Sequence, residues 1–212
     1  MRHYEINGNL EEEENLDYNL FSYVTCQVRD CYVNEFGEKL MNSIDLLVDN
    51  ATGGSGHAPI ITPVLGKYLI IKLEIKKNFK ASRIVYQFSH ELMHYVFFAI
   101  KGINKGRAGI EEESICSAAS LILIKELYPE DFLSNYVHVK NLKEEEYRKG
   151  AEVAESVEFD FEKLKKLVYT KTGYLICSPC SRQFKYKTVY TRRSIFSCLE
   201  IGIYHRKKKL RL

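Results

Sequence analysis

Two histidines and a glutamate dominate the chemistry available to this chain. They lie in one pentapeptide, His90-Glu91-Leu92-Met93-His94, an instance of H-E-x-x-H. On a helix, residues four apart share a face. The spacing therefore aims both imidazoles at one point, where a zinc ion can sit. Glu91 projects about 100° round the helix from His90. From there it reaches a water that zinc has acidified without being a ligand itself, and a carboxylate can take the proton of such a water.

The surrounding sequence must form the helix that makes this spacing meaningful. Residues 83–100 read RIVYQFSHELMHYVFFAI, without Gly or Pro. Ser82 is the candidate N-cap and Gly102 the candidate stop. The apolar flanks (Ile84, Val85, Phe88, Val96, Phe97, Phe98) predict a buried helix, whose His and Glu side chains must find partners. The plain alternative is a metal-free fold in which His90 and His94 are satisfied core groups.

Catalytic zinc needs a third protein ligand and an open position. No histidine occurs between His94 and His138. The positions where H-E-x-x-H-x-x-G-x-x-H would carry its glycine and last histidine hold Phe97 and Ile100, which argues against that class. Downstream stands Glu111-Glu112-Glu113, opening a second apolar helix over 111–127. Acids in a first turn also complement the helix dipole, which is the ordinary role for at least two of the three. Glu113 shares a face with Cys116, Ser117 and Ser120, a small-residue face that lets the second helix approach the first. Glu112 shares its face with Ile115, Cys116 and Ala119 and stays the close alternative. Glu111 is expected to be the most exposed.

HELMH followed by Glu113-Ser-Ile-Cys-Ser-Ala-Ala-Ser resembles the gluzincin-type zincin metallopeptidases, and the length resembles the small ImmA/IrrE-like members. The resemblance covers roughly residues 40–130, the strand–helix–helix context such a motif requires. It implies His90, His94 and Glu113 as ligands of Zn2+ and Glu91 as the general base. It also implies that the strand over 67–75 is the sheet edge lining the cleft. Cys116 and Ser117 depart from the family's usual small residue and Asn or Asp. His138 and Tyr147 are the candidates for a group that stabilises the oxyanion.

The 212 residues suit one domain with a small appendage. Elsewhere, Leu16, Leu20, Val24, Val28 and Tyr32 recur every four residues and predict a helix over 15–36, stopped at Gly37. Residues 43–48, 60–65 and 67–75 read as strands. Residues 129–137 suggest a short helix. Residues 142–170 predict a longer one, broken near Gly150 or Phe159. The loop DNATGGSGHAP lacks the lysine and spacing of a phosphate-cradling P-loop, and His57 within it reads as a surface residue. The fold class expected is α+β: a zincin-like domain over 1–171, with a small mixed sheet packed on the motif helix and further helices behind.

Residues 172–212 form a basic, cysteine-containing C-terminal segment. From Arg182 to Leu212 there are ten Lys/Arg and one acid, Glu200, although the whole chain carries only +3. A solvated charge run is the ordinary reading, and weak contact with nucleic acid or another polyanion the functional one. Cys177 and Cys180 form a single C-x-x-C; Cys198 and His205 complete a four-ligand set only with loose spacing, so free thiols in a turn are the simpler reading. The N-terminus MRHYEINGNLEEEE has no apolar core of a signal peptide, and no apolar run reaches membrane-spanning length. The expectation is a cytoplasmic, zinc-dependent peptidase acting on a polypeptide substrate. Its rival is a non-hydrolytic, zincin-shaped regulatory or nucleic-acid-binding protein that uses the basic tail.

Overall fold

The computed structural model describes residues 17–50, 58–76 and 79–174. Seven helices and a three-stranded sheet lie within them. The protein is a mixed α+β fold, mostly helical. His57, Cys177, Cys180, Cys198, His205 and the basic tail lie outside the described residues, as does most of the segment over 172–212. No described helix is long and apolar enough to cross a membrane.

Helix α1 (Tyr18–Phe36) starts at Asp17, whose carboxylate accepts the Asn19 and Leu20 N–H groups, both at 3.0 Å. It ends at Gly37, whose φ of +85° costs a residue without Cβ little. The one-turn helix α2 (Glu38–Met41) leads into strand β1 (Asp45–Asn50). Strand β2 (Ile60–Val64) and strand β3 (Tyr68–Leu73) form a hairpin, in which Leu65 and Gly66 take φ values of 54° and 64°. Such left-handed pairs suit the twist of a tight hairpin.

The strand order is β1-β3-β2, with β1 parallel and β2 antiparallel to β3. This corrects one sequence expectation. The strand within 67–75 is the centre of the sheet, and β2 is an edge. The reason is non-local: β3 is the most buried strand, with Leu69, Ile71 and Leu73 all inaccessible, and a strand buried that way is paired on both sides.

The motif helix α3 (Ala81–Lys101) packs under the sheet and against α1 and α4. Its cap is Lys80, so Ser82 lies inside the helix, where its hydroxyl donates instead to Asp131, at 2.8 Å. Gly102 is the stop, as expected. Three hydrogen-bonded side chains fix its seat. Tyr32 of α1 donates to the Ser89 carbonyl at 2.7 Å. Gln87 pairs with both backbone groups of Glu74, at 2.9 and 3.0 Å, locking the exit of β3 one turn before the motif. Tyr95 donates to the Ile44 carbonyl and accepts the Ile44 N–H.

Helix α4 (Ile110–Leu127) runs between α3 and the C-terminal helices and is buried nearly all round. Helix α5 (Pro129–Lys140) comes directly after it. The stretch expected as a helix broken near Gly150 or Phe159 is two helices, α6 (Glu145–Ser156) and α7 (Phe161–Thr172), parted at the second of those places. The break lies at Val157–Asp160, where Glu158 and Phe159 adopt positive φ, and Asp160 then caps α7. Gly150 does not break α6. It is the contact point at which α6 meets α4: a Cβ there would stand 2.3 Å from that of Ser117.

Candidate metal centre

The site forms where one face of α3 meets the first turns of α4. Both helices are apolar on most of their surface, so burial fixes their rotation and leaves the His90–His94 face opposite Glu112 and Glu113. His90 Nε2 lies 3.0 Å from Glu113 Oε2, and His94 Nε2 lies 3.4 Å from the same oxygen. Zinc–nitrogen and zinc–oxygen bonds of about 2.1 Å at a tetrahedral angle separate neighbouring donors by about 3.4 Å. The Glu113 oxygen stands near that separation from each imidazole, a spacing compatible with one ion held between them.

A second grouping overlaps the first. His90, His94 and Cys116, all buried, bring donor atoms within 4.8 Å of one another and could hold a metal ion. Cys116 sits one turn along α4 from Glu113 and is wholly inaccessible, whereas the Glu113 side chain is 24% exposed and reaches the cleft. Burial pushes the Cys116 thiol up to about 11, so the sulfur carries its proton at neutral pH. The two candidate third donors thus differ in kind: an ionised carboxylate facing the cleft and a protonated thiol beneath it. In the sequence, Cys116 stood out only as a neighbour of Glu113. The i+3 spacing from Glu113 was the signal that could have promoted it.

Glu112 has a different task. Its Oε1 accepts from Lys105 Nζ at 2.6 Å and lies 2.9 Å from His94 Nδ1. A ring nitrogen held this way leaves the other, Nε2, to face Glu113. Metal-binding histidines usually have such an outer carboxylate, which fixes both tautomer and ring orientation. Glu112 and Lys105 are 8% and 7% exposed in their side chains, so the pair is buried, with Lys105 also lying over the Phe98 ring at 4.4 Å. Sequence reading passed over Lys105, because it lies in the connection 102–109, where a lone lysine looks solvated.

The electrostatics are set by this packing. Burial opposes a charged His94, but its hydrogen bonds with Cys116, Glu112 and Glu113 outweigh it and hold the imidazole above its ordinary value. Burial would raise Glu113, yet hydrogen bonds from His90 and His94 hold it well below the usual carboxylate range. Glu91 goes the other way. Burial raises it, opposed by the two histidines and by the Ile61 backbone N–H directed at its carboxylate.

The cleft above these residues has a volume of about 730 Å³ and is walled by β2, the 105–110 connection and Tyr147 of α6. A smaller lobe of about 240 Å³ opens beyond His90 and Glu91, lined by Arg83, Tyr86, His138 and Tyr147 among others. Tyr147 borders both lobes, its ring 5.7 Å from that of His90. His138 borders only the smaller one.

No protein-family model matches the chain, and neither a curated protein nor a solved structure matches it. Any functional reading therefore stands on the site.

Proposed function

We propose that the protein is a zinc-dependent metallopeptidase with a zincin-like fold, in which His90, His94 and Glu113 hold the ion and Glu91 is the general base. The observation that carries this reading is the convergence of one Glu113 oxygen on the Nε2 atoms of both histidines, at 3.0 and 3.4 Å, on the floor of an open cleft. Glu113 is preferred to Glu112 because Glu112 is committed to His94 Nδ1 and Lys105. It is preferred to Cys116 because it lines the cleft, whereas Cys116 is wholly inaccessible beneath it. The combination of H-E-x-x-H with a glutamate on the following helix is what the chain shares with the gluzincins, the ImmA/IrrE-like members included.

Zinc in that position would supply a Lewis acid for a peptide carbonyl and would acidify water at neutral pH. The protein's own groups do the rest. Glu91, whose carboxyl burial has made more basic, takes a proton from water and delivers it to the departing amine. Tyr147, beside His90 and bordering both lobes, is the phenol donor for the carbonyl oxygen as charge develops on it.

The test is Glu91→Gln in the full chain. Zinc content and thermal stability are expected to stay near wild type. Chelator-sensitive cleavage of unstructured polypeptides is expected to fall by about two to four orders of magnitude, the range for loss of a general base. Cleavage that persists undiminished in this variant refutes the assignment of Glu91. A zinc-loaded wild type that cleaves nothing favours the non-hydrolytic regulatory reading.

A further inference from the structure

We infer that His90, His94 and Cys116 form a second seat of the same centre, which takes a soft, thiophilic cation in place of zinc and holds it beneath the cleft instead of on its floor. The inference rests on the metal-centre reading of the two histidines and names the competing ion that this site admits.

Cys116 is the one donor at the centre to which the proposed hydrolysis gives no task. It is wholly inaccessible, and its sulfur and the ligand nitrogens of His90 and His94 lie within 4.8 Å of one another. Bonds of about 2.3 Å to sulfur and 2.1 Å to nitrogen set such donors about 3.8 Å apart at a trigonal angle. An inward movement of at most about 1 Å therefore completes a set of two histidines and one cysteine around an ion of zinc's size, and an ion with longer bonds needs less. The sulfur is held close to the histidines by the helix that carries it. Ser120, one turn further along the same face of α4, donates to the Tyr86 carbonyl of α3 at 2.8 Å, which ties the two helices together at this level.

The two candidate third donors select different ions. A carboxylate oxygen suits harder cations, whereas a thiolate selects softer ones. Both sets use His90 and His94, so the centre holds one ion or the other. The buried set is also the drier one. Its residues are 7%, 6% and 0% exposed, against 24% for the Glu113 side chain. A cation taken out of water there needs a counter-charge, and the thiolate provides it. Forming the metal–sulfur bond breaks the S–H bond, the proton leaves to solvent, and no electron changes hands.

Cadmium is the probe, a soft cation without redox chemistry of its own. The protein is the full chain carrying Cys177→Ser, Cys180→Ser and Cys198→Ser, so that the C-x-x-C does not compete. Cys116→Ser and Glu113→Gln are made separately in that background, and the difference from the background isolates each donor. Cadmium absorption spectroscopy is expected to find sulfur in the first coordination shell, lost in Cys116→Ser. That variant should bind cadmium more than about 100-fold more weakly, beyond the range for loss of an outer partner, and zinc within about tenfold of the background. Glu113→Gln should show the reverse order. One equivalent of cadmium should release zinc from the loaded background protein and not from Cys116→Ser. Cys116→Ala repeats the comparison if the buried hydroxyl of Cys116→Ser unfolds the chain. Cadmium without sulfur in its shell, or a Cys116 variant that weakens zinc and cadmium alike, overturns the inference, since a merely structural thiol acts on both ions equally. A Glu113→Gln protein that loses both metals overturns it too, because the centre then has a single seat. Cadmium bound through Cys116 by a protein that takes no zinc upholds the soft seat while the peptidase reading falls.

Discussion

Lys105→Met separates the buried ion pair from the rest of the site. Methionine keeps most of the side-chain length and its contact with Phe98, but removes the cation 2.6 Å from Glu112. Glu112 then keeps a buried charge with weaker compensation. Breaking one partner of a buried pair typically costs about 3–5 kcal/mol. Two features put this case at the low end, about 3 kcal/mol by the same principle: Lys101 Nζ stands 3.7 Å from the other Glu112 oxygen, and His94 lies against the first. For a protein of this size each kcal/mol shifts the melting temperature by about 2–4 °C, so metal-stripped Lys105→Met should melt roughly 6–12 °C lower. Adding Glu112→Gln removes the stranded charge and should recover part of that loss. The double variant should bind zinc about 10–100-fold more weakly than wild type, because His94 loses its outer carboxylate. The assay is thermal unfolding of the stripped protein, followed by competitive zinc titration. A Lys105→Met protein as stable as wild type, or a Glu112→Gln protein that loses zinc altogether, refutes this division of labour between Glu112 and Glu113.

Other positions give independent checks. Gly150→Ala puts a methyl group 2.3 Å from Ser117 Cβ and 3.1 Å from the Ser114 carbonyl, neither of which can swing away. Overpacking of about 1–3 kcal/mol should outweigh the helix-propensity gain of about 1 kcal/mol. The variant should melt lower, and Ser117→Gly in the same chain should restore it; a Gly150→Ala protein that melts higher contradicts the close approach of α6 to α4. Asp131 is held below the usual carboxylate range by hydrogen bonds from Lys80 and Ser82. A depressed folded value means that its stabilisation is complete above its unfolded value of about 3.9 and is lost as pH falls through the folded one. Asp131→Asn should therefore lower the melting temperature at neutral pH and flatten its decline below about pH 4; an unchanged acid limb argues against this tie between α3 and α5.

The sequence made the local parts of this structure readable. The apolar run around HELMH, the glycine stops at Gly37 and Gly102, and the small face of α4 are all short-range signals, and the helices they predict are present. The sheet was harder, since nothing within 60–65 or 67–75 says which strand has two neighbours. Pairing is decided by contacts across the chain, and the resemblance, which implies 67–75 as the cleft edge, carries no information on it. The break between α6 and α7 was located only loosely because Val157, Phe159 and Phe161 continue an apolar pattern and no proline or glycine interrupts them. Glu158 and Phe159 turn the chain by left-handed conformations that their residue types do not advertise. At the site, helix spacing pointed to His90, His94 and two glutamates, but could not divide the work between Glu112 and Glu113. That division depends on Lys105, which reaches Glu112 from the connection between the helices.

Metal content of the purified full chain, measured beside His90→Ala and Glu113→Gln, tests the proposed centre most directly. One zinc per chain is expected in the wild type and none retained in stoichiometric amount by His90→Ala, with Glu113→Gln strongly weakened while still folded. Zinc unchanged in His90→Ala, or lost from Cys116→Ser but kept by Glu113→Gln, would contradict the assignment of His90, His94 and Glu113 as its ligands.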